Sequence, residues 1–341
     1  MTVSFSQNGQ KTKKPSPPLT FRFWGLFLTV LLLTAASQAF VFSGPEALAQ
    51  TPPPKLTDPN FLVLDAGFYQ QGADNGIPED LFHLGNLYNL GFSVDQDQAK
   101  AAELYQKAAD QSYAPAIEAL GQLFLNGSGV PKDPQKALEL FHKSAELNYA
   151  NAQLTLGEYY EEGTLVDVDN TKALYWYEKA AAQDNTPAMF TLAIAYETGR
   201  LGQEINIDKS MEYYLKAAEL GLAEAQFNLA VTYDLGQGVP VDKAKAFYWY
   251  QKAAEQQLPE AQGNLGFMYL HGLGIPVDVD KAIGLLEEAA LNGASSAQLN
   301  LGRCYRDGLG VQQDKETAIK WLRKSAAQGN IAAARELSKI K

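Results

Sequence analysis

Apolar and small residues recur along most of the chain at helical spacing, interrupted at regular intervals by glycine and acidic residues. Ala152, Leu156, Gly157 and Tyr160 fall on one face of a helix. Ala173, Trp176, Tyr177, Ala180 and Ala181 occupy i, i+3, i+4, i+7 and i+8, and Ala246, Trp249, Tyr250, Ala253 and Ala254 repeat that face. The pattern therefore predicts pairs of amphipathic helices, one pair per repeat.

Two ladders of small residues set the period. Gly85, Gly121, Gly157, Ala193, Ala230, Gly266 and Gly302 form the first, with a spacing of 36 and a single step of 37. Ala101, Ala137, Ala173, Ser210, Ala246, Ala282 and Ala318 form the second, again with one step of 37. The extra residue lies between Ala193 and Ser210, and the loop Arg200 to Ile205 is its natural place, because loops absorb insertions. Seven copies in register on two ladders specify a repeat architecture.

The helix ends are also written in the sequence. Proline stands near the start of the first helix at Pro78, Pro115, Pro187 and Pro259, where a missing N–H costs nothing. Glycine follows that helix in every copy, from Gly91 to Gly308, as a left-handed cap requires. Asp97, Asp133, Asp169, Asn206, Asp242, Asp278 and Asp314 precede the second helix and supply an N-cap oxygen. Alanine and glycine at the crossings let helix axes approach to about 8–10 Å. A bulky side chain at Ala180 or Ala253 would overpack at a cost of about 1–3 kcal/mol.

One helix pair cannot bury its own apolar faces, so neighbours must stack. The expected fold is all-α: an α/α superhelical solenoid of about seven 36-residue helix-turn-helix repeats. Its expected segments are a signal peptide or signal anchor at 1–49, a Pro-rich spacer and N-terminal capping helix at 50–77, the repeats at 78–330, and a C-terminal capping helix at 331–341. Residues 66–74 carry the second-helix pattern one period early, and the charged segment with Arg335, Glu336, Lys339 and Lys341 follows the first-helix pattern.

Ala225-Gln226-Phe227-Asn228-Leu229-Ala230, Tyr233, Gly236-Gln237-Gly238-Val239, Asp242, Lys245-Ala246, Trp249-Tyr250 and Lys252-Ala253-Ala254 carry a family likeness. This pattern resembles the Sel-1-like repeat, a relative of the tetratricopeptide repeat, over residues 78–330. Ser210-Met211 and Glu288 depart from it in single copies. The resemblance implies a right-handed superhelix of antiparallel helix pairs that acts as an adaptor or scaffold for protein complexes. Bacterial members are often exported and serve the envelope or signalling, and some eukaryotic members occupy the endoplasmic reticulum lumen.

The first fifty residues read as an address. A polar segment with Lys11, Lys13, Lys14 and Arg22 precedes the uncharged run 23–42, and Ala47-Leu48-Ala49 precedes Gln50. This is the order of a secretory signal, and the run is also near the ~20 residues that span a bilayer. Cleavage after Ala49 and retention as an anchor both place the remainder on the non-cytoplasmic side: periplasm, lumen or extracellular space. Thr51-Pro52-Pro53-Pro54 is a stiff spacer.

Charge narrows the partners. The chain carries a formal −11, and without residues 1–49 the balance is 24 basic against 38 acidic. That excludes a duplex nucleic-acid binder and weighs against docking on anionic lipid. The expected partner is a protein or peptide, with the membrane engaged only through an uncleaved N-terminal segment. The single cysteine, Cys304, permits neither an internal disulfide nor a cysteine metal cage.

Catalytic constellations are missing. The Gly-x-Gly pairs lack a third glycine, a preceding strand and a following Lys-Ser/Thr, so a helix-ending turn explains them better than a phosphate cradle. Asp167-Val168-Asp169 and Asp278-Val279-Asp280 lack the later glycine and glutamate of a calcium loop. Cys304 and His271 sit at related positions of neighbouring repeats, but no orienting group or oxyanion hole accompanies them. His83, His142 and His271 are spread over three repeats. The expectation is a non-enzyme without cofactor or metal.

A helical wheel leaves an arc of the first helix for partners, on the concave side in tetratricopeptide-like stacks. Its candidate residues are Glu158, Tyr159, Glu162, Asn228, Asn264, Phe267, Met268, His271, Asn300, Arg303 and Asp307. The asparagines could grip an extended backbone or bond neighbouring helices, and the aromatic and methionine side chains suit either recognition or inter-repeat packing. The functional expectation is an exported scaffold binding protein or peptide partners in this groove, in envelope complex assembly or signalling. The alternative is a cell-wall or carbohydrate-binding protein or weak hydrolase of the envelope, since Trp and Tyr stack on sugars. N-terminal mass analysis of the protein recovered from its host should show a chain beginning at Gln50; an intact N-terminus would establish the anchor instead.

Overall fold

The computed structural model describes residues 66–340, and the expected signal and most of the Pro-rich spacer lie outside them. The repeats and both flanking helices belong to one compact unit, Leu64–Lys341. Sixteen α-helices and no strand occur among the described residues. A lone helix α1 (Ala66–Asp74) precedes seven pairs: α2 (Pro78–Leu90) with α3 (Gln98–Ala109), α4 (Ala114–Asn126) with α5 (Pro134–Glu146), and α6 (Ala150–Glu162) with α7 (Asn170–Ala181). There follow α8 (Thr186–Thr198) with α9 (Ile207–Glu219), α10 (Ala223–Leu235) with α11 (Lys243–Glu255), α12 (Pro259–His271) with α13 (Val279–Leu291), and α14 (Ser295–Asp307) with α15 (Lys315–Ala327). A second lone helix, α16 (Ile331–Lys339), closes the stack. Each helix packs on the next in sequence, so the array is a helical solenoid.

The caps form as the sequence requires. Every glycine that ends a first helix is left-handed, with φ between 67° and 77°. Each second helix begins at an Asp or Asn whose side chain accepts a backbone N–H, as Asp97 does from Lys100 at 2.9 Å. The same N-cap residue donates its own N–H to the end of the first helix, for example Asp169 N to Tyr160 O at 2.8 Å. The extra residue of the fourth repeat lies in a 3₁₀ turn at Arg200–Gly202, with Leu201 at φ 57° and its side chain buried.

Within a pair, an aromatic ring on the second helix lies flat against a small residue on the first. A Cβ at Gly157 would come within 2.6 Å of the Tyr177 ring, so alanine there would force the ring away. Tyr105, Phe141, Tyr214 and Tyr250 take the equivalent place in their own repeats, all at 1% exposure or less. The outer end of the pair is held by a lysine over an aromatic ring. Lys100 over Tyr88, Lys136 over Phe124, Lys172 over Tyr160 and three further pairs place the ammonium 4.0–5.4 Å from the ring centroid.

The Gly-x-Gly turns are packing devices. The second glycine contacts the start of the preceding repeat's second helix; at Gly129 a Cβ would lie 2.2 Å from the Gln98 carbonyl carbon. Backbone of the same protein fills the space an anion would need.

Between repeats, glutamines form a relay across three helices. Gln226 donates to Ala218 O of the preceding repeat at 3.0 Å and accepts from Gln256 of its own second helix at 2.8 Å. Gln153 with Gln183, and Gln298 with Gln328, repeat the arrangement. Where the first-helix position is Ile117 or Met189, the matching residue is Leu147 or Leu220. The sixth repeat breaks the rule: Gln262 stands opposite Asn292, one methylene shorter, and Gln262 Oε1 is buried with no donor. A buried orphan acceptor is destabilising. Asn292→Gln should complete the relay and add about 0.5–1.5 kcal/mol, read as a raised urea midpoint with an unchanged m-value.

Candidate functional site

The surface with the most varied chemistry is the face formed by the first helices. Neighbouring first helices touch directly at Gly263 and Ala297, where a glycine Cβ would lie 3.1 Å from the alanine Cβ. At this contact α12 and α14 approach more closely than any two second helices do, which marks this side as the inner side of the stack. From α2 to α12 these helices carry ten carboxylates and no lysine or arginine. The lysines of the same repeats lie on the second helices, apart from Lys132 in a loop.

Three carboxylates in consecutive repeats are set in place from behind. Tyr177 Oη donates to Glu161 at 2.9 Å and Tyr214 Oη to Glu197 at 2.8 Å. The third, Asp234, holds Lys243 at 2.6 Å. A buried tyrosine needs a partner for its hydroxyl, and the repeats satisfy that need at this face. Repeats with Phe141 or Leu286 instead of tyrosine carry Leu125 and Leu270 at the carboxylate position. Arg200 from the inserted loop reaches back to Glu161 through Nε at 3.0 Å and through a second guanidinium nitrogen.

Among the described residues, Glu118 and Glu158 have no cation. Solvent reaches the Glu158 side chain, yet protein surrounds it on the inner side and the carboxyl is short of water. Burial, then repulsion from Glu162, Glu161 and Glu118, pushes its pKa up to about 7. Burial also pushes Glu118 up to about 7, against the hydrogen bond it makes with Gln122. Tyr149 beside it is pushed up to about 12 by burial and by the Glu118 charge. The acidic stretch passes into an apolar one: Phe190, Ile194, Phe227, Val231 and Phe267 are half-buried, with one edge open.

The sequence-derived candidates separate into four groups. Glu158, Glu162 and His271 are exposed on this face, and Phe267 lies beside His271 with ring centroids 4.3 Å apart. Tyr159 is half-buried, its ring centroid 5.5 Å from that of Phe141. Met268 requires correction: it is 1% exposed and belongs to the core, because its register position turns inward in this and other repeats. The asparagine row is largely engaged within the protein. Asn228 Nδ2 donates to Tyr214 Oη at 3.1 Å, and Asn264 donates to Tyr250. Asn300 stands opposite Leu286, which has no hydroxyl to offer. Arg303, Arg306 and Asp307 are committed to the chain's own end: Arg303 meets Glu336 of α16 at 3.3 Å, while Arg306 bonds Glu336 and also Asp307 at 2.6 Å. Those arginine bonds hold the Asp307 carboxyl below the usual range.

The sequence reading missed Glu118, Glu161, Glu197 and Asp234, because it rotated the open arc toward the inward-facing position of Met268. The missing lysine and arginine on six successive first helices is the signal that marks this face. Cys304 is fully buried and burial pushes its thiol up to about 11, so it packs as a small hydrophobe. Among the described residues, no group of three or more His, Cys, Asp or Glu could hold a metal ion.

Comparison with known proteins follows this geometry. The Sel1 repeat family matches at 78–113, 114–149, 150–185, 186–222, 223–258, 259–293 and 295–330. A crystal structure of c5321, a protective antigen of uropathogenic Escherichia coli displaying an SLR fold, is 32% identical and superposes with a TM-score of 0.71. That match covers 81% of this chain and 59% of the E. coli protein, so the chain spans under two thirds of that relative. A Sel1 repeat protein from Oxalobacter formigenes is 33% identical with a TM-score of 0.61, over 81% of this chain and 80% of that one. No curated protein matches.

The raised carboxyls give a stability signature. Glu118 and Glu158 bind protons more tightly folded than unfolded, so their contribution is fully present below the ordinary carboxyl range and is lost as pH rises through about 7. The double variant Glu118→Gln/Glu158→Gln should melt with the parent near pH 4 and about 1–3 °C above it near pH 8, a small gap because water screens Glu158. Differential scanning calorimetry at the two pH values measures it.

Proposed function

The chain belongs to the Sel1 repeat family, and from that premise we propose that it is an exported, non-enzymatic scaffold that binds protein or peptide partners along the first-helix face, in envelope complex assembly or signalling. Members of the family generally serve as protein-interaction scaffolds and generally lack enzymatic activity. The observation that carries the reading is the inner face itself: half-open Phe190, Ile194, Phe227, Val231 and Phe267 continue an acidic stretch across repeats stacked in register. Aromatic and aliphatic anchors with a polar border suit protein recognition.

Export is supported by the uncharged run 23–42 and the small residues Ala47-Leu48-Ala49, which lie outside the described residues. No helix of the described residues is long and apolar enough to cross a membrane. Against the wall-binding alternative, Trp176 and Trp249 pack against the core, and the open rings Tyr175 and Tyr248 lie on second helices, away from the first-helix face.

A photo-crosslinking amino acid placed at Ile194, on the inner face, should capture a defined protein in the native host. The same probe at Tyr175, exposed on α7, should not. Capture of no protein from position 194, or of the same set from both positions, overturns the reading.

A further inference from the structure

The inner face changes character along its length, and the change follows one register position. That position reads Gln122, Glu158, Ile194, Val231 and Phe267 in α4, α6, α8, α10 and α12. Four residues earlier on each helix the series is Glu118, Leu154, Phe190, Phe227 and Gly263. The N-terminal part is therefore carboxylate-lined, with Glu161 and Glu162 adjoining, and the middle is aromatic and aliphatic. At the far side Gly263 is buried against Ala297 of α14.

The charges on this strip are incompletely answered by the protein. Glu161 is bonded by Tyr177 and Arg200, but Glu158 has no hydrogen bond or cation and instead faces Glu161, Glu162 and Glu118. Six lysines of the same repeats lie over aromatic rings at the outer end of their helix pairs, and Lys243, which does reach a carboxylate of this face, is bound to Asp234. Beyond Phe267 the face is closed by the chain's own ion network of Arg303, Arg306 and Glu336. The open strip thus runs from α4 to α12, an apolar groove with negative charge concentrated at one end.

Resting on the scaffold reading above, we propose that this groove takes an extended peptide segment of a partner protein, with lysine or arginine side chains over Glu118, Glu158 and Glu162 and apolar side chains over Phe190, Phe227 and Phe267. Charge complementarity fixes the basic end, because an ammonium or guanidinium relieves repulsion that the folded protein otherwise retains. The apolar end buries surface that the stack leaves half open. An acidic segment would add like charge to the same carboxylates and is rejected.

The test uses the full-length chain and two labelled peptides. One alternates lysine with serine in one half and leucine with alanine in the other; its twin has glutamate for every lysine. Fluorescence anisotropy should show binding of the lysine peptide that weakens as ionic strength rises, and at least tenfold weaker binding of the glutamate twin. Glu118→Gln/Glu158→Gln should weaken the lysine peptide about tenfold. The control Glu103→Gln/Glu139→Gln, which makes the same charge change on exposed sites of α3 and α5, should leave it unaltered. Equal binding of the two peptides, no binding of the lysine peptide, or equal losses in both variants overturns the proposal. A partner crosslinked from Ile194 through an acidic or uncharged segment also overturns it while leaving the scaffold reading intact.

Discussion

A bulky side chain, an aromatic ring in five repeats and leucine in two, resting on a glycine or alanine holds the architecture together. Tyr177 lies over Gly157, Tyr105 over Gly85 and Phe141 over Gly121, each so close that a Cβ would clash. The contact fixes the distance between the two helices of a repeat and buries most of the ring, which one thirteen-residue helix could not do alone. Everything lateral follows. Once that distance is set, the cap residues of the second helix reach the end of the first, and the lysines reach the rings at the outer end. In Gly266 and Gly302 the partner is Leu286 or Leu322 instead, and the contact persists with a smaller side chain. Small residues are therefore fixed by sterics, while the partner needs only bulk.

Stacking between repeats rests on a different chemistry. Buried amides must be satisfied, and the glutamine relay does so across helix pairs through bonds such as Gln256 to both Gln226 and the Gly221 carbonyl. Ser144 to the Ala114 carbonyl and Ser325 to the Ser295 carbonyl serve neighbouring stretches of the same seam. Apolar pairs replace polar ones at Ile117 with Leu147 and at Met189 with Leu220, while in the first repeat Gln111 faces Leu81 and donates only to the Gly76 and Lys107 carbonyls. Gln262 opposite Asn292 is the step at which a buried acceptor is left without a donor.

These two layers explain what could be read from the chain before its structure was known. Caps and ladders were legible because a left-handed φ or an absent Cβ restricts the residue to glycine, alanine or an Asx cap, and a restricted residue leaves a periodic mark. The turn that leads into each first helix left no such mark. It also requires a left-handed residue, yet the chain uses Ser112, Asn148, Asp184 and Gln257 there as well as Gly221 and Gly293. The open arc was legible only in part. Periodicity located the buried stripe on the first helix but not its edges, so Met268 was placed on the open arc and Glu161 was left off it. Orientation at that resolution depends on which side neighbouring helices approach, a property of the stack and not of a single helix.

The same division of labour governs what the surface can carry. Residues that set spacing and register cannot vary, so chemical variety collects where neither constraint applies, along the inner edge of the first helices. There the side chains pass from amide to carboxylate to aliphatic to aromatic to guanidinium while the backbone beneath them hardly changes. In the first six repeats the lysine that closes the pair lies on the second helix, above the first helix's aromatic ring, so its charge sits away from this edge. A net negative inner face thus arises partly as a by-product of how the pairs are clamped. The Glu161 and Glu197 carboxylates are not by-products, since Tyr177 and Tyr214 donate to them from behind. In those two repeats the buried ring that builds the fold is the same group that fixes a surface carboxylate, whereas Tyr105 donates to Asn86 instead.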